Sequence, residues 1–438
     1  MNINTDLTPD LKPPRYEKNM MKRSYVIVGL ILLIFFVISL LQNMLGPLIP
    51  DIIEDFGLSL TLAGFMPFSF FIAYAVMSIP SGYLIERFSE KVILVAAFLV
   101  AFIGALLFAT NPRFTPALLS LFLMGCGMAM LQVAINPLLR VSGGEEHFAF
   151  NSVLGQLFFG SASFISPRIY TFLVHNLQDE KDSGNFIIRS LKQVVPDDMP
   201  WVSLYWVFVV ITLIMILVIL QARLPKVDLK EEERMGHRST LIGLFKNKIV
   251  LLYFLGIIAY VGTEQGVADW VSKFLLNYHD IDPQTIGAKV VSNFWGLMTI
   301  GCILGLLLLK ILDSRKVLII FVLAAMICLT VGLFGPESAT LIAFPLVGFF
   351  ASVMWSVIFS LALNSVSSHH GAFSGILCTG IAGGAIVPFI IGWLGNLVGL
   401  RFGMIFLYLT LGYILSIGFW AKPLIVNKTI RIKRKKNE

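Results

Sequence analysis

The chain has 438 residues, 57% of them hydrophobic and only 13% charged, with a mean hydropathy of +0.84. A soluble protein carries roughly 25% charged residues, so this balance excludes a water-facing exterior and implies a lipid-facing one. The net charge of +7 does not point to nucleic acid, because the basic residues gather in the two tails and one central segment, where they act as topology signals.

Lys22 and Arg23 precede an uncharged run from Ser24 to Pro50. That run is far longer than the ~7–15 residues of a signal-peptide core, and it exceeds the ~20 residues needed to cross a bilayer. It is expected to be retained as the first membrane span. Further uncharged runs lie near 60–85, 92–110, 115–139, 148–174 and 201–224. A polar segment at 225–248 follows, and then six more runs near 249–277, 290–311, 317–334, 339–364, 372–395 and 402–421. The chain therefore reads as an all-α membrane protein of twelve transmembrane helices in two pseudo-symmetric six-helix bundles. Its expected parts are an N-tail (1–23), a first bundle (24–224), a central linker (225–248), a second bundle (249–421) and a basic C-tail (422–438).

If the N-terminus lies in the cytoplasm, the loops on that side hold about 25 of the 33 basic residues. By the positive-inside rule both termini are then cytoplasmic, and the expected setting is a cell (inner) membrane. Cys126, Cys302, Cys328 and Cys378 each stand alone in an apolar run. With no metal-ligand spacing and no G-x-x-x-x-G-K-[ST] loop, neither a metal, a cofactor nor ATP hydrolysis is expected.

The two halves carry corresponding loop clusters. After the second run comes Gly82-Tyr83-Leu84-Ile85-Glu86-Arg87-Phe88-Ser89-Glu90-Lys91, and after the eighth comes Lys310-Ile311-Leu312-Asp313-Ser314-Arg315-Lys316. The first is similar to the helix 2–3 signature of the major facilitator superfamily, G-x-L-x-D-R-x-G-x-K. Gly82, Leu84, Arg87 and Lys91 match it, while Glu86 stands for Asp and Ser89 for the second Gly. Glu86, Arg87, Lys91, Asp313 and Arg315 are thus gating candidates, in a latch that pins one half to helix ends of the other. The alternative is a solvated turn.

Within that superfamily the chain resembles the fucose–galactose–glucose:proton symporter family. The fourth run, Gly127 to Pro137, is close to the family's G-x-x-x-L-Q/E-x-A-x-N-P. Weaker matches are Ile358-Phe359-Ser360-Leu361, Gly383-Gly384-Ala385-Ile386-Val387-Pro388 and Tyr260-Val261-Gly262-Thr263-Glu264. The resemblance implies the major facilitator fold and sugar-like solutes. It also departs from the family: the first-helix aspartate implicated in proton coupling is Gly46 here, the acidic residue of the fucose branch is Gln132, and a helix 5 amide pair falls on Leu154 and Leu157.

Polar residues inside spans are costly, so each is a candidate. Gln132 and Asn136, four apart, share one helix face, and their carboxamides suit the hydroxyls of a neutral solute or an interhelical bond. Gln42, Asn43, Asn151 and Gln156 divide between cavity and packing in the same way. Arg168 is expected either to form a gate ion pair, with Asp269 as partner, or to snorkel. The seventh run, Gly262-Thr263-Glu264-Gln265-Gly266-Val267-Ala268-Asp269-Trp270, is the densest site. Its two glycines each weaken a helix by about 1 kcal/mol and would permit local unwinding. Asp269 has Lys273 one turn on as an ion-pair partner. A carboxyl withdrawn from water favours its neutral form, which makes Glu264 and Asp269 coupling candidates. Gln265 and the aromatic platforms Trp270, Trp295 (with Asn293) and Trp355 complete the substrate-binding set, and Ser356, Ser360 and Asn364 share a second face.

These features predict a secondary transporter, a monomer, importing a small neutral sugar-like solute with a proton or sodium ion. A drug exporter or organic-anion carrier is the nearest alternative, although only Arg168 supplies a cation inside a span. A membrane enzyme would need a convergent nucleophile–base set, and the six histidines all fall in or near loops. A receptor would need a larger soluble domain than any loop provides.

Overall fold

A computed structural model of the chain describes residues 24–143, 148–179, 185–225, 238–366 and 370–422. Most of both tails and the centre of the linker, with the Lys230–Arg234 run, lie outside the described residues, as does the side chain of Glu86.

Twelve helices among the described residues are long and apolar enough to cross a membrane. In the first half these are span 1 (Tyr25–Phe56), span 2 (Leu60–Ile85), span 3 (Glu90–Thr110), span 4 (Phe114–Gly143), span 5 (Leu154–Gln178) and span 6 (Pro200–Gln221). The second half has span 7 (Lys248–His279), span 8 (Pro283–Leu309), span 9 (Ser314–Phe334), span 10 (Glu337–Leu363), span 11 (Ala372–Val398) and span 12 (Leu400–Trp420). They coincide with the uncharged runs because the cost of charge in hydrocarbon fixes where a span can lie. Span 1 continues beyond Pro50 to Phe56, where Gly57 (φ 59°) supplies the left-handed residue that ends it.

Spans 2, 3 and 4 pack on one another, span 3 also on span 6 and span 1 on span 5; in the second half spans 8, 9 and 10 do likewise, while spans 7, 9, 11 and 12 close the bundle. The halves meet where span 2 lies along span 11, span 5 along span 8 and span 1 along span 7. These seam pairs exchange under a pseudo-two-fold relation, as expected of a duplicated bundle. At the span 1–span 7 crossing, a Cβ on Gly46 would collide with the carbonyl oxygen of Ala268 and lie 3.4 Å from Asp269 Cα. Only glycine lets the two backbones approach this closely.

Two features differ from the sequence reading. Span 7 is one unbroken helix, Lys248–His279. Its glycines serve packing instead of unwinding: a Cβ on Gly266 would lie 2.9 Å from both Ile391 and Leu407 side chains, and one on Gly262 would strike Val387. The interruptions fall elsewhere. Span 1 breaks at Asn43–Met44, span 10 between Ala351 and Met354, and span 11 passes through a 3₁₀ turn at Gly380–Ala382.

In the loop clusters, Lys91 and Arg315 each reach a helix end of their own half. Lys91 Nζ donates to the carbonyls of Leu220 (2.7 Å) and Ala222 (2.9 Å) at the end of span 6. Arg315 Nη1 donates to Ala421 O (3.3 Å) at the end of span 12, while its Nε pairs with Asp313 (3.3 Å), the N-cap of span 9. A cation on the exposed carbonyls of a helix C-terminus is stabilising by about 0.3–1 kcal/mol. The two halves use it at equivalent places. Arg87 is exposed and lies over the Phe88 ring at 5.7 Å.

Candidate functional site

The break in span 1 sets the site. Asn43 caps the first helical segment and is buried. Its Nδ2 donates to Ser163 Oγ on span 5 (2.9 Å) and to Ser39 Oγ (3.3 Å), so a carboxamide is fixed where the helix is interrupted. Its Oδ1 accepts from Gln265 Nε2 of span 7 at 3.5 Å, across the seam. Gln265 Nε2 also reaches Glu264 Oε1 at 3.2 Å, and Tyr260 OH donates to Glu264 Oε2 one turn away. Trp355 of span 10 packs on the Tyr260 ring (centroids 6.0 Å apart) and stacks on Phe359 at 5.7 Å. Next to Asn43, buried Gln42 accepts from Tyr74 of span 2 at 3.0 Å.

Side chains from spans 1, 5, 7 and 10 therefore form one polar chain, Ser163–Asn43–Gln265–Glu264–Tyr260, flanked by Trp355. Ser163, Asn43, Gln265 and Tyr260 are buried, while Glu264 within the chain and Trp355 beside it are half-buried. Carboxamides, hydroxyls and a carboxylate beside an indole can meet both the hydroxyls and the C–H face of a polar solute.

Other candidates fall elsewhere. Asn136 is exposed and donates to its own helix at Gln132 O (3.3 Å), with Gln132 half-buried. Span 4 packs on spans 1, 2, 3 and 5, and no hydrogen bond among the described residues joins these two carboxamides to Glu264. Trp270 is fully buried and donates Nε1 to Pro388 O at 2.9 Å, so it ties span 7 to span 11 and offers no platform. Trp295 is buried edge-on to Phe294, with Asn293 half-buried beside it. Gln156, Ser356 and Ser360 are exposed, and Asn364 donates to Ser360 at 3.4 Å. Asn151 is buried near Gly143.

Arg168 does not pair with Asp269, and Lys273 does not either. Among the described residues Arg168 stacks over Phe164 (4.0 Å) and donates Nε to Ser292 Oγ of span 8 (3.2 Å). Asp269 is 3% exposed, and its Oδ2 has no partner among the described residues.

Sequence reading missed a second polar seam near the far end of span 1. Buried Asp51 accepts from Tyr170 OH and from Gln284 Nε2 (3.1 Å), and Thr171 Oγ1 donates to Gln284 O (2.6 Å). Nearby, Asp55 accepts from Trp201 Nε1 at 2.5 Å. Spans 1, 5 and 8 are thus joined at the end of the bundle opposite the termini. The available signal was Asp51-Ile52-Ile53-Glu54-Asp55, an acidic group continuing an apolar run in a chain with only 26 acidic residues.

Twelve spans in two pseudo-symmetric bundles, with a polar chain at mid-seam and a hydrogen-bonded closure at one end, are the architecture of a multi-pass membrane transporter. The sequence matches the Major Facilitator Superfamily over residues 31–387, and the chain belongs to that superfamily. It is 28% identical over 425 residues to a glucose/galactose transporter of Brucella abortus biovar 1 (strain 9-941), covering 94% of this chain and 97% of the relative. It is 27% identical over 396 residues to the L-fucose-proton symporter of Escherichia coli (strain K12), covering 86% of this chain and 89% of that one. The crystal structure of the E. coli fucose:proton symporter superposes with a TM-score of 0.65 at 22% identity, covering 91% of this chain and 99% of that chain.

Proposed function

We propose that this protein imports a neutral sugar-like solute together with a cation, a proton or sodium ion, by alternate opening of the two ends of its seam. The observation that carries this reading is the polar chain from Ser163 through Asn43, Gln265 and Glu264 to Tyr260, with Trp355 beside it. It joins two carboxamides, two hydroxyls and one carboxylate, with no cation, so its recognition chemistry favours hydroxyls over anions. Relatives named as a glucose/galactose transporter and an L-fucose-proton symporter support the same solute class.

In this reading Asn43, Gln265 and Trp355 contact the solute, and Gln132, Asn136, Gln42, Gln156, Asn293, Trp295, Ser356 and Ser360 line the route as the halves rock. Glu264 carries the coupling charge, with Asp269 behind it. With both termini in the cytoplasm, as the basic loops imply, the closure at Asp51, Tyr170 and Gln284 seals the outer end. Breaking it would open the seam outward, as alternating access requires.

Counterflow in proteoliposomes tests the proposal. Preloaded unlabelled hexose should drive transient accumulation of labelled D-glucose, D-galactose or L-fucose, with sodium present or absent distinguishing the ion. Absence of counterflow for every neutral sugar, with counterflow of an organic anion or cation instead, would overturn it.

A further inference from the structure

A groove of about 420 Å³ lies between spans 5 and 8, lined by Pro167, Arg168 and Phe172 on one side and by Ile286 and Lys289 on the other. It stands apart from the polar chain. Its two cations come from different halves of the protein. Arg168 is held in place: its guanidinium lies over the Phe164 ring at 4.0 Å, and its Nε is bound by Ser292 Oγ at 3.2 Å. That hydroxyl is itself oriented by donating to Phe164 O at 2.6 Å. Among the described residues no anion meets the remaining guanidinium edge, and none meets Lys289. Lys289 precedes Ser292 by three positions and so presents to the same face of span 8.

We propose that this groove binds the phosphate of an anionic phospholipid, with Arg168 and Lys289 as its cationic contacts and Pro167, Phe172 and Ile286 as the bed for the acyl chain. A planar guanidinium fixed by its Nε presents its outer edge as a fork, the geometry that takes two phosphate oxygens. The ammonium across the groove adds a point charge. Phe172 (50% exposed) and Ile286 (46% exposed) show that the groove opens on the outer flank of the bundle, so its apolar part faces lipid. Lys289 lies six residues into span 8, about 9 Å along the axis, within reach of the headgroup layer for a long side chain. The carboxylate at the rim, Asp282, is engaged in capping: its oxygens accept from Gln284 N (2.9 Å) and Thr285 Oγ1 (2.5 Å). A lipid phosphate between Arg168 and Lys289 ties the two halves together on the same side as the Asp51–Gln284 bond, so anionic lipid stabilises the form closed at that end.

The test uses the delipidated full-length protein in detergent, following its thermal midpoint during titration with phosphatidylglycerol, phosphatidylcholine or inorganic phosphate. Phosphatidylglycerol should raise the midpoint saturably, and the other two should not at matched concentration. Arg168→Gln and Lys289→Gln should each weaken the apparent affinity about fivefold, and the double variant about thirtyfold. Lys289 donates no hydrogen bond among the described residues, so Lys289→Gln remains informative if Arg168→Gln folds poorly. Native mass spectrometry should show one retained phosphatidylglycerol lost in the double variant. A shift of equal size with phosphatidylcholine or inorganic phosphate, or a phosphatidylglycerol shift that survives the double substitution, overturns the proposal.

Discussion

Replacing Glu264 with glutamine should uncouple the carrier while leaving it folded. The carboxylate accepts two hydrogen bonds, from Tyr260 OH and Gln265 Nε2. Glutamine keeps one acceptor oxygen for Gln265, and the Tyr260 hydroxyl can turn to accept from the new amide. The structural cost is then at most one hydrogen bond, about 1 kcal/mol. The functional cost is larger. One pH unit across the membrane is worth about 1.36 kcal/mol per coupled proton, or about tenfold accumulation. In proteoliposomes one unit more alkaline inside, the wild type should concentrate labelled hexose about tenfold at one proton per solute. Glu264→Gln should reach only equal concentrations on the two sides, while hexose–hexose exchange continues near the wild-type rate. Full pH-driven accumulation in this variant would refute the coupling role, and loss of exchange as well would show that Glu264 serves binding instead.

Other perturbations separate packing from transport. Gly46→Ala drives a methyl into the Ala268 carbonyl and should lower stability by about 1–3 kcal/mol, read as a fall in the thermal midpoint. Asp51→Asn keeps the shape of the closure but weakens its bonds to Tyr170 and Gln284; a Leu48→Cys reporter, buried one turn before Asp51, should label faster from the outside in the Asp51→Asn background than in the Asp51 parent. Trp270→Phe removes the bond to Pro388 O and should cost about 1 kcal/mol of stability, with hexose KM unchanged. Lys91→Met should cost about 0.3–1 kcal/mol through the end of span 6, also visible in the thermal midpoint.

The twelve spans were legible because lipid penalises charge so strongly that uncharged runs mark them almost by themselves. Their interruptions were not legible. Span 1 breaks at Asn43, whose side chain bonds Ser163, 120 residues away, and no local pattern carries such a partner. The glycines of span 7 illustrate the same limit: propensity allows unwinding at Gly262 and Gly266, but Val387, Ile391 and Leu407 take up the space instead. Asn43, Gln265 and Glu264 were recognisable as costly polar residues, and the structure brings them together. Gln132 and Asn136 were recognisable on the same ground and do share a face, yet their amides do not reach that cluster. Trp270 looked like a platform until its indole nitrogen found Pro388. The charges of the loop clusters were visible in sequence, while their partners, the last carbonyls of each half, depend on how spans 3 and 9 pack.

Calorimetric titration of the purified protein with D-glucose, D-galactose and L-fucose tests the central claim most directly, comparing the wild type with Asn43→Ala and Gln265→Ala. At least one hexose should bind the wild type, and each substitution should weaken it about fivefold or more, the value of one lost hydrogen bond. Undiminished hexose affinity in both variants, or no hexose binding in a folded wild type, would contradict a solute site built on the polar chain at the seam.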